Sequence, residues 1–133
     1  MIAMYQAIQN LMAELNKLLI TYNYMVQNAP TEGAARMMEL NRNTVLCTRE
    51  ALQGMYKNVF GKELAEVEEA IEGVPVFTDF RNAAGFAVQE EIMVIQSLKN
   101  LYLRTDACNH NQYFNALIEH QINVMRLFAL LTC

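Results

Sequence analysis

The 133-residue sequence is poor in the residues that interrupt regular structure, with five glycines, two prolines and no tryptophan. So few turn-forming residues exclude collagen and argue against a β-sandwich with many tight turns. Hydrophobic residues make up 53% of the chain and charged residues only 18%, which excludes an intrinsically disordered protein. A chain of this length can bury a core of its own, and we predict a single domain over residues 1–133.

An excess of positive charge is also missing, because ten Lys and Arg residues face fourteen Asp and Glu residues and the net charge is -4. Nucleic acids and anionic lipids are bound through concentrated positive charge, so neither is an expected partner. No apolar run approaches the length of about 18 residues that a transmembrane helix needs. The first twenty residues lack the basic head and the cleavage site of a signal peptide, which predicts a cytoplasmic protein.

The three cysteines, Cys47, Cys108 and Cys133, are odd in number and far apart in the sequence. A disulfide framework uses an even number of cysteines in a short secreted chain. Reduced thiols are therefore expected, in agreement with a cytoplasmic location.

Apolar residues recur at helical spacing in four long segments, and no segment alternates with the period of two that is typical of a strand. We predict helices over residues 2–27, 31–60, 79–104 and 110–131. Thr31 is suited to cap the second helix after Pro30, and Gly61 is suited to end it. The residues predicted to face inward are Met4, Ile8, Leu11, Leu15, Leu18, Tyr22, Met25, Met38, Val45, Leu52, Val59, Phe80, Ala84, Ala87, Glu91, Val94, Leu98, Leu101, Tyr113, Leu117, His120, Val124, Phe128 and Leu131.

The three connections between these helices differ in length. The first and third are short turns, at residues 28–30 and 105–109, whereas the second includes a short acidic helix candidate at residues 62–73. A helix of about 30 residues is about 45 Å long, and a connection of the second kind reaches from one end of a bundle to the other. The sequence therefore predicts an all-α four-helix bundle of two antiparallel hairpins joined by a long crossover.

Two ionisable residues interrupt the apolar stripes of the third and fourth helices. Residues equidistant from the turn of an antiparallel hairpin lie at the same height, and the midpoint of Glu91 and His120 falls beside the predicted turn. The two side chains are therefore expected to face each other inside the bundle, near the polar stripe residues Asn41 and Thr48. They can pair with each other, because an unpaired buried charge is costly, or they can ligate a metal ion.

Three sequence segments resemble those of a known family. Residues 56–63 (YKNVFGKE) carry a tyrosine followed by Gly-Lys at the end of the second helix. Residues 91–102 (EIMVIQSLKNLY) begin with a glutamate and end with an aromatic residue, and residues 119–123 (EHQIN) lie in the middle of the fourth helix. Together with the predicted topology, these segments resemble the ferritin-like superfamily, most closely its small rubrerythrin-like members.

The resemblance implies a degenerate form of the family's di-iron site, which takes a Glu from helices one and three and a Glu-x-x-His from helices two and four. The motif of the second helix falls at Val45 and Thr48, and the motif of the fourth begins at His120 and ends at Asn123. An intact oxygen-activating centre is not implied, because two irons need several bridging carboxylates. Iron, manganese and zinc are the candidate metals for such a reduced site. The ligands that remain are Glu14, Glu91 and His120.

Apolar residues also lie on or beside a second face of the helices, which makes the apolar band wider than a lone bundle requires. We therefore expect a homodimer formed by helix packing. Two hypotheses about function stay open: a non-catalytic dimeric structural or interaction protein, and a metal-binding or redox protein with a reduced carboxylate–histidine site. The residues of the second face are Ile2, Met12, Leu19, Ile20, Ile92, Ile95, Leu103 and Phe128.

Overall fold

The structure is a computed structural model that describes residues 2–63, 73–105 and 107–132. The described residues form four helices: α1 (Ile2–Gln27), α2 (Glu32–Phe60), α3 (Phe80–Arg104) and α4 (Ala107–Leu131). The described residues contain no strand, which confirms the prediction of an all-α four-helix fold. The short acidic helix predicted at residues 62–73 falls mainly on residues 64–72, which lie outside the described residues.

The ends of α2 and α3 are set by side chains that the sequence places at the helix boundaries. The Thr31 hydroxyl accepts a hydrogen bond from Ala34 N, and the Asp79 carboxylate accepts one from Asn82 N. Each cap satisfies an amide that has no partner within its own helix. Gly61 ends α2 in the left-handed conformation, at φ 71°, and its N–H donates to Lys57 O.

The start of α4 differs from the prediction, because the helix begins at Ala107 and the turn predicted at residues 105–109 is shorter. His110 explains the tight connection. Its Nε2 lies 2.7 Å from Thr105 O, and its ring packs against Tyr102 with a centroid separation of 4.9 Å. These contacts draw the first turn of α4 onto the end of α3, and tertiary packing of this kind overrides the low helix propensity of the Asn and His residues there.

Each helix packs on two neighbours. α1 contacts α2 and α3, and α4 contacts the same two helices, so that α1 and α4 lie on one diagonal of the bundle. The two ends of α2 have different neighbours: Phe60 packs against Tyr5 of α1, whereas Thr31 lines one cavity together with Phe80 and Leu130. In the described part of the chain, no helix is long and apolar enough to span a membrane.

The core follows the predicted stripes on α1, α2 and α3, with three exceptions at helix ends, one of which is the partly buried Phe80 at the start of α3. Met4 is only partly buried, and Val59 is 42% exposed because it lies in the last turn of α2, near the edge of the bundle. The inward face of α4 was predicted less well. Asn123 and Leu127 are fully buried, whereas Val124 is only partly buried and Phe128 is 50% exposed.

The rotation of α4 relative to the prediction has a physical cause. A stripe chosen from apolar residues alone avoids Asn123, yet the Asn123 side chain forms hydrogen bonds inside the bundle and can therefore be buried. Residues 113, 116, 120, 123 and 127 then face inward at a spacing of three and four. Phe128 is left on the outside of α4.

Candidate functional site

The predicted register of the α3–α4 hairpin is confirmed. His120 Nδ1 lies 2.6 Å from Glu91 Oε1, and both side chains are fully buried. A carboxylate and an imidazole that meet without water form a hydrogen-bonded pair, which avoids the cost of burying either group alone.

The second oxygen of the Glu91 carboxylate accepts hydrogen bonds from side chains of two other helices. Tyr22 OH of α1 donates to Glu91 Oε2 at 2.6 Å, and Asn123 Nδ2 of α4 donates to the same oxygen at 2.7 Å. Burial and the nearby Glu91 carboxylate raise the pKa of Tyr22 well above its usual range, so the phenol keeps its proton and remains a donor. Both carboxylate oxygens of Glu91 therefore have protein donors, as an ionised carboxylate requires in an apolar interior.

The other ring nitrogen of His120 forms a hydrogen bond with a side chain of α2. Thr48 Oγ1 lies 2.8 Å from His120 Nε2 and donates its hydrogen to Thr44 O at 3.0 Å. The Thr48 oxygen is then free to accept from Nε2–H. With Nδ1–H directed at Glu91, this pattern places a hydrogen on each ring nitrogen, and we infer that His120 is an imidazolium paired with the Glu91 carboxylate.

Two asparagines join α2 to α4 beside this pair. Asn41 Nδ2 donates to Asn123 O, and Asn123 Nδ2 donates to Asn41 O, each at 3.1 Å. Arg126 Nη1 donates hydrogen bonds to the side-chain oxygens of both asparagines, at 3.2 Å to Asn41 Oδ1 and 3.3 Å to Asn123 Oδ1. We call the whole set the core network, and it takes residues from all four helices: Tyr22, Asn41, Thr48, Glu91, His120, Asn123 and Arg126.

The core network leaves little room for metal ligation by its members. Both nitrogens of His120 and both oxygens of Glu91 already have partners, and Val45 of α2 is a fully buried apolar side chain. Among the described residues, no group of three or more His, Cys, Asp or Glu side chains is arranged to hold a metal ion. The geometry of Glu91 and His120 thus fits a mutual pair better than it fits two ligands of iron, manganese or zinc.

The third predicted ligand, Glu14, is part of a different cluster. Burial raises the pKa of Glu14 to about 7, the negative charge of Glu90 adds to this increase, and Lys17 opposes it. Burial likewise raises the pKa of Glu90. Among the described residues, Glu14 Oε2 and Glu90 Oε2 are buried oxygens that have no hydrogen-bond partner. We call Glu14, Glu90 and Lys17 the α1–α3 carboxylate cluster.

A groove of about 500 Å³ lies between α2 and α4, and Thr48 of the core network reaches its floor. Cys47, an exposed free thiol, also lines the groove. Its walls are mostly small or amide side chains, which leave the space between α2 and α4 unfilled on this side. The lining residues on the two helices are Leu40, Asn43, Thr44, Cys47, Thr48, Ala51, Gln112, Asn115, Ala116, Glu119 and Arg126.

Sequence reasoning identified Glu91, His120, Asn41 and Thr48 as polar residues on inward faces, but it missed three members of the core network. Tyr22 was predicted only as part of the apolar stripe, and Asn123 only as the end of the fourth-helix motif that the resemblance implies. The available signals were a tyrosine hydroxyl inside a core, which needs an acceptor, and an asparagine one helical turn after His120. Arg126 carried no such signal.

Similarity to known proteins does not extend these observations. No family model matches the sequence, and neither a curated protein nor a solved structure matches it. Function is therefore inferred from the residues themselves and from their geometry.

Proposed function

We propose that this chain is a ferritin-like bundle without an intact di-iron centre and that it acts as a dimeric structural or interaction protein. The observation that carries the proposal is the contact of 2.6 Å between His120 and Glu91 inside a hydrogen-bonded network. Thr48 and Asn123, which stand where the resemblance implies metal-ligating histidines, are members of that network. The polar core therefore fits a role in holding four helices together.

The placement of the helix ends supports a ferritin-like connection between α2 and α3. Phe60, at the end of α2, lies beside Tyr5, whereas Phe80, at the start of α3, lines a cavity with Thr31 at the opposite end of α2. An added Cβ on Gly73 would lie 2.5 Å from Lys17 Cε, in the middle of α1. Phe77 packs against Tyr24 near the end of α1. Residues 73–77 thus run along the bundle, as a crossover that joins parallel α2 and α3 requires.

The experiment that tests this function measures metal binding and association on the same sample. Protein purified without a histidine tag is incubated with Fe(II), Mn(II) or Zn(II), desalted and analysed for bound metal, and its mass in solution is measured by sedimentation. We expect well under one metal ion per chain and a dimer, because the core donors and acceptors are already paired.

Retention of one or more ions per chain that is lost in both Glu91→Ala and His120→Ala would contradict the proposal. Glu119→Ala, which removes an exposed carboxylate of α4 outside the core network, is the matched control for metal held at the surface. A monomer at micromolar concentration would contradict the structural role in a dimer.

A metal-binding or redox function is a second candidate, and a specific observation favours it. Glu14 and Glu90 each have a buried carboxylate oxygen that no described residue hydrogen-bonds, and a cation between them would satisfy both. Such a site would compete with protons, so binding would weaken below about pH 7, the pKa of Glu14. Metal that is lost in the double variant Glu14→Gln, Glu90→Gln but retained in Glu91→Ala would favour this candidate.

A further inference from the structure

The outer face of α4 carries a line of apolar side chains that the described bundle covers only in part, Phe114 by its ring contact with Tyr102 of α3. Phe114, Ile118, Met125 and Phe128 are 48%, 38%, 67% and 50% exposed, with the exposed Gln121 in the middle. Successive members are four, three, four and three residues apart, which keeps all five on one face of a helix. We call these five residues the α4 outer stripe.

The α4 outer stripe reads nearly the same in both directions along the helix. Phe114 lies seven residues before Gln121 and Phe128 lies seven residues after it, whereas Ile118 and Met125 lie three before and four after. When two copies of α4 pack antiparallel with their Gln121 side chains face to face, each Phe114 reaches the height of Phe128 in the other copy. Ile118 then lies within about 1.5 Å of the height of Met125 along the axis.

The charged side chains of α4 point away from this stripe. Glu119 and Arg126 both line the groove towards α2, and Gln121, two residues after Glu119, points to the opposite side of the helix. The outer stripe contains no charged residue, so two copies can approach each other without burying one.

The neighbouring helix extends the same surface. On α3, Glu90 faces α1, and Ile92, two residues later, points away from α1 just as the α4 outer stripe points away from α2. Ile92 is 45% exposed, and Leu103, eleven residues later and on the same face, is 66% exposed. Since α3 and α4 are neighbours, Ile92 and Leu103 lie on the same side of the α3–α4 hairpin as the stripe, with the exposed Lys99 between them on α3.

The area of this surface suits a second copy of the chain. A fully exposed large side chain presents about 200 Å², so the four apolar members of the stripe expose about 400 Å². That is half of the roughly 800 Å² that each partner contributes to a standard interface. Ile92, Leu103 and the polar residues around the stripe are available for the rest.

We propose that α4 packs antiparallel on α4 of a second copy, with Gln121 at the twofold axis and Ile118 against Met125 of the other copy. The inference rests on the proposed function, because it assigns the surface through which the dimer forms. A twofold axis requires the same surface patch on both copies, and a stripe that reads alike in both directions meets that requirement.

Charge substitutions at the paired positions test this interface. Ile118→Lys and Met125→Glu each place a charge opposite an apolar residue of the other copy, and we expect each to raise the dimer dissociation constant about 100-fold. In the double variant, the lysine of each copy faces the glutamate of the other copy, so that two Lys–Glu pairs form across the axis. The dissociation constant should then return to within about 10-fold of that of the parent chain. The constants are measured by sedimentation over a range of concentrations.

Leu46→Glu is the matched control, because Leu46 is 43% exposed on α2, away from the α3–α4 surface. The dimer dissociation constant of this variant should equal that of the parent chain. Circular dichroism checks that each variant remains helical. A parent dimer that neither single variant weakens, or a double variant no more dimeric than the single ones, would overturn the interface while the proposed function stands. A monomeric parent chain would overturn both.

Discussion

At the scale of single residues, the Glu91 carboxylate determines what the centre of the bundle can do. It lies at the meeting point of all four helices and accepts hydrogen bonds from Tyr22, His120 and Asn123. Removal of one partner leaves the others buried and unpaired, and the cost of that exceeds the net value of any single hydrogen bond. The residues of the core network are therefore expected to be strongly coupled in their effects on stability.

The Glu91–His120 pair can be tested by removing each partner and then both. Glu91→Ala and His120→Ala should each lower the free energy of unfolding by about 3–5 kcal/mol, because each leaves a buried group without its partner. The double variant should lose less than the sum of the two single losses, since the leftover charge is then absent. Urea denaturation measures the three values, and fully additive losses would contradict a direct pair.

Tyr22 offers a smaller change to the same network. Tyr22→Phe keeps the buried ring and removes only the hydroxyl that donates to Glu91 Oε2. The free energy of unfolding should fall by about 1.5–3 kcal/mol, the range for a hydrogen bond to a charged group. Tyr24→Phe is the control, because the half-buried Tyr24 ring packs against Phe77 outside the core network, and its loss should be below about 0.5 kcal/mol. Equal losses in the two variants would argue against a Tyr22–Glu91 bond of any strength.

At the scale of helices, sequence periodicity predicted α1, α2 and α3 well and α4 less well. The turn between α3 and α4 was enough to place Glu91 opposite His120, because antiparallel helices pair by distance from their connection. The rotation of α4 depends instead on Asn123, whose burial is favourable only when Asn41 and Glu91 are near enough to bond it. Such partners come from other helices, so no pattern within α4 could have indicated them.

The same scale explains the division of the predicted metal ligands between two places. Glu14 and Val45 are equidistant from the turn at residues 28–30 and therefore lie at similar heights, but a turn does not determine which neighbouring helix a side chain faces. In the structure, Glu14 lies close to Glu90 of α3, whereas Glu91 pairs with His120 of α4. Two adjacent glutamates on α3 thus serve two different interfaces, because successive residues of a helix point about 100° apart.

The α1–α3 carboxylate cluster predicts a dependence of stability on pH. The pKa of Glu14 is about 7 in the folded chain and higher than in the unfolded chain, so the folded state holds a proton that the unfolded state has already released. The contribution of Glu14 is therefore most favourable below the unfolded pKa and is lost as the pH rises through about 7. Ionisation of Glu14 beside Glu90 should weaken the contact between α1 and α3.

Glu14→Gln tests this expectation. At about pH 8 the variant should melt at a higher temperature than the parent chain, and the difference should vanish at about pH 5, where Glu14 is protonated in the folded state. Glu32→Gln, which changes an exposed carboxylate at the start of α2, is the control and should leave the pH profile unchanged. A Glu14→Gln variant that is no more stable than the parent chain at about pH 8 would contradict the raised pKa.

At the scale of the whole molecule, apolar residues outside the core lie on the outer side of the α3–α4 hairpin and also on α2, where Leu40 and Leu46 are exposed. Of the residues predicted to form a second face, Ile92, Leu103 and Phe128 are exposed, whereas Met12 is buried in the core and was assigned wrongly. Leu19, Ile20 and Ile95 are partly buried, and the side chain of Ile2 lies outside the described residues. The sequence thus indicated that apolar surface exists, but its location depended on the rotation of α4, which left Phe128 outside.

The packing of all four helices also explains how the chain can bury a glutamate and a histidine in its core. The two groups compensate each other, and their remaining hydrogen-bonding atoms are supplied by Tyr22, Thr48 and Asn123 from three helices. A polar core completed in this way needs no metal ion to balance it.

The most direct test of that account is the ¹H–¹⁵N NMR spectrum of the His120 imidazole, recorded with and without added zinc. We predict a hydrogen on both Nδ1 and Nε2, protected from exchange by burial, and a spectrum that does not change when zinc is added. A ring nitrogen without its hydrogen, or a His120 signal that shifts on addition of zinc and is restored by a chelator, would contradict it.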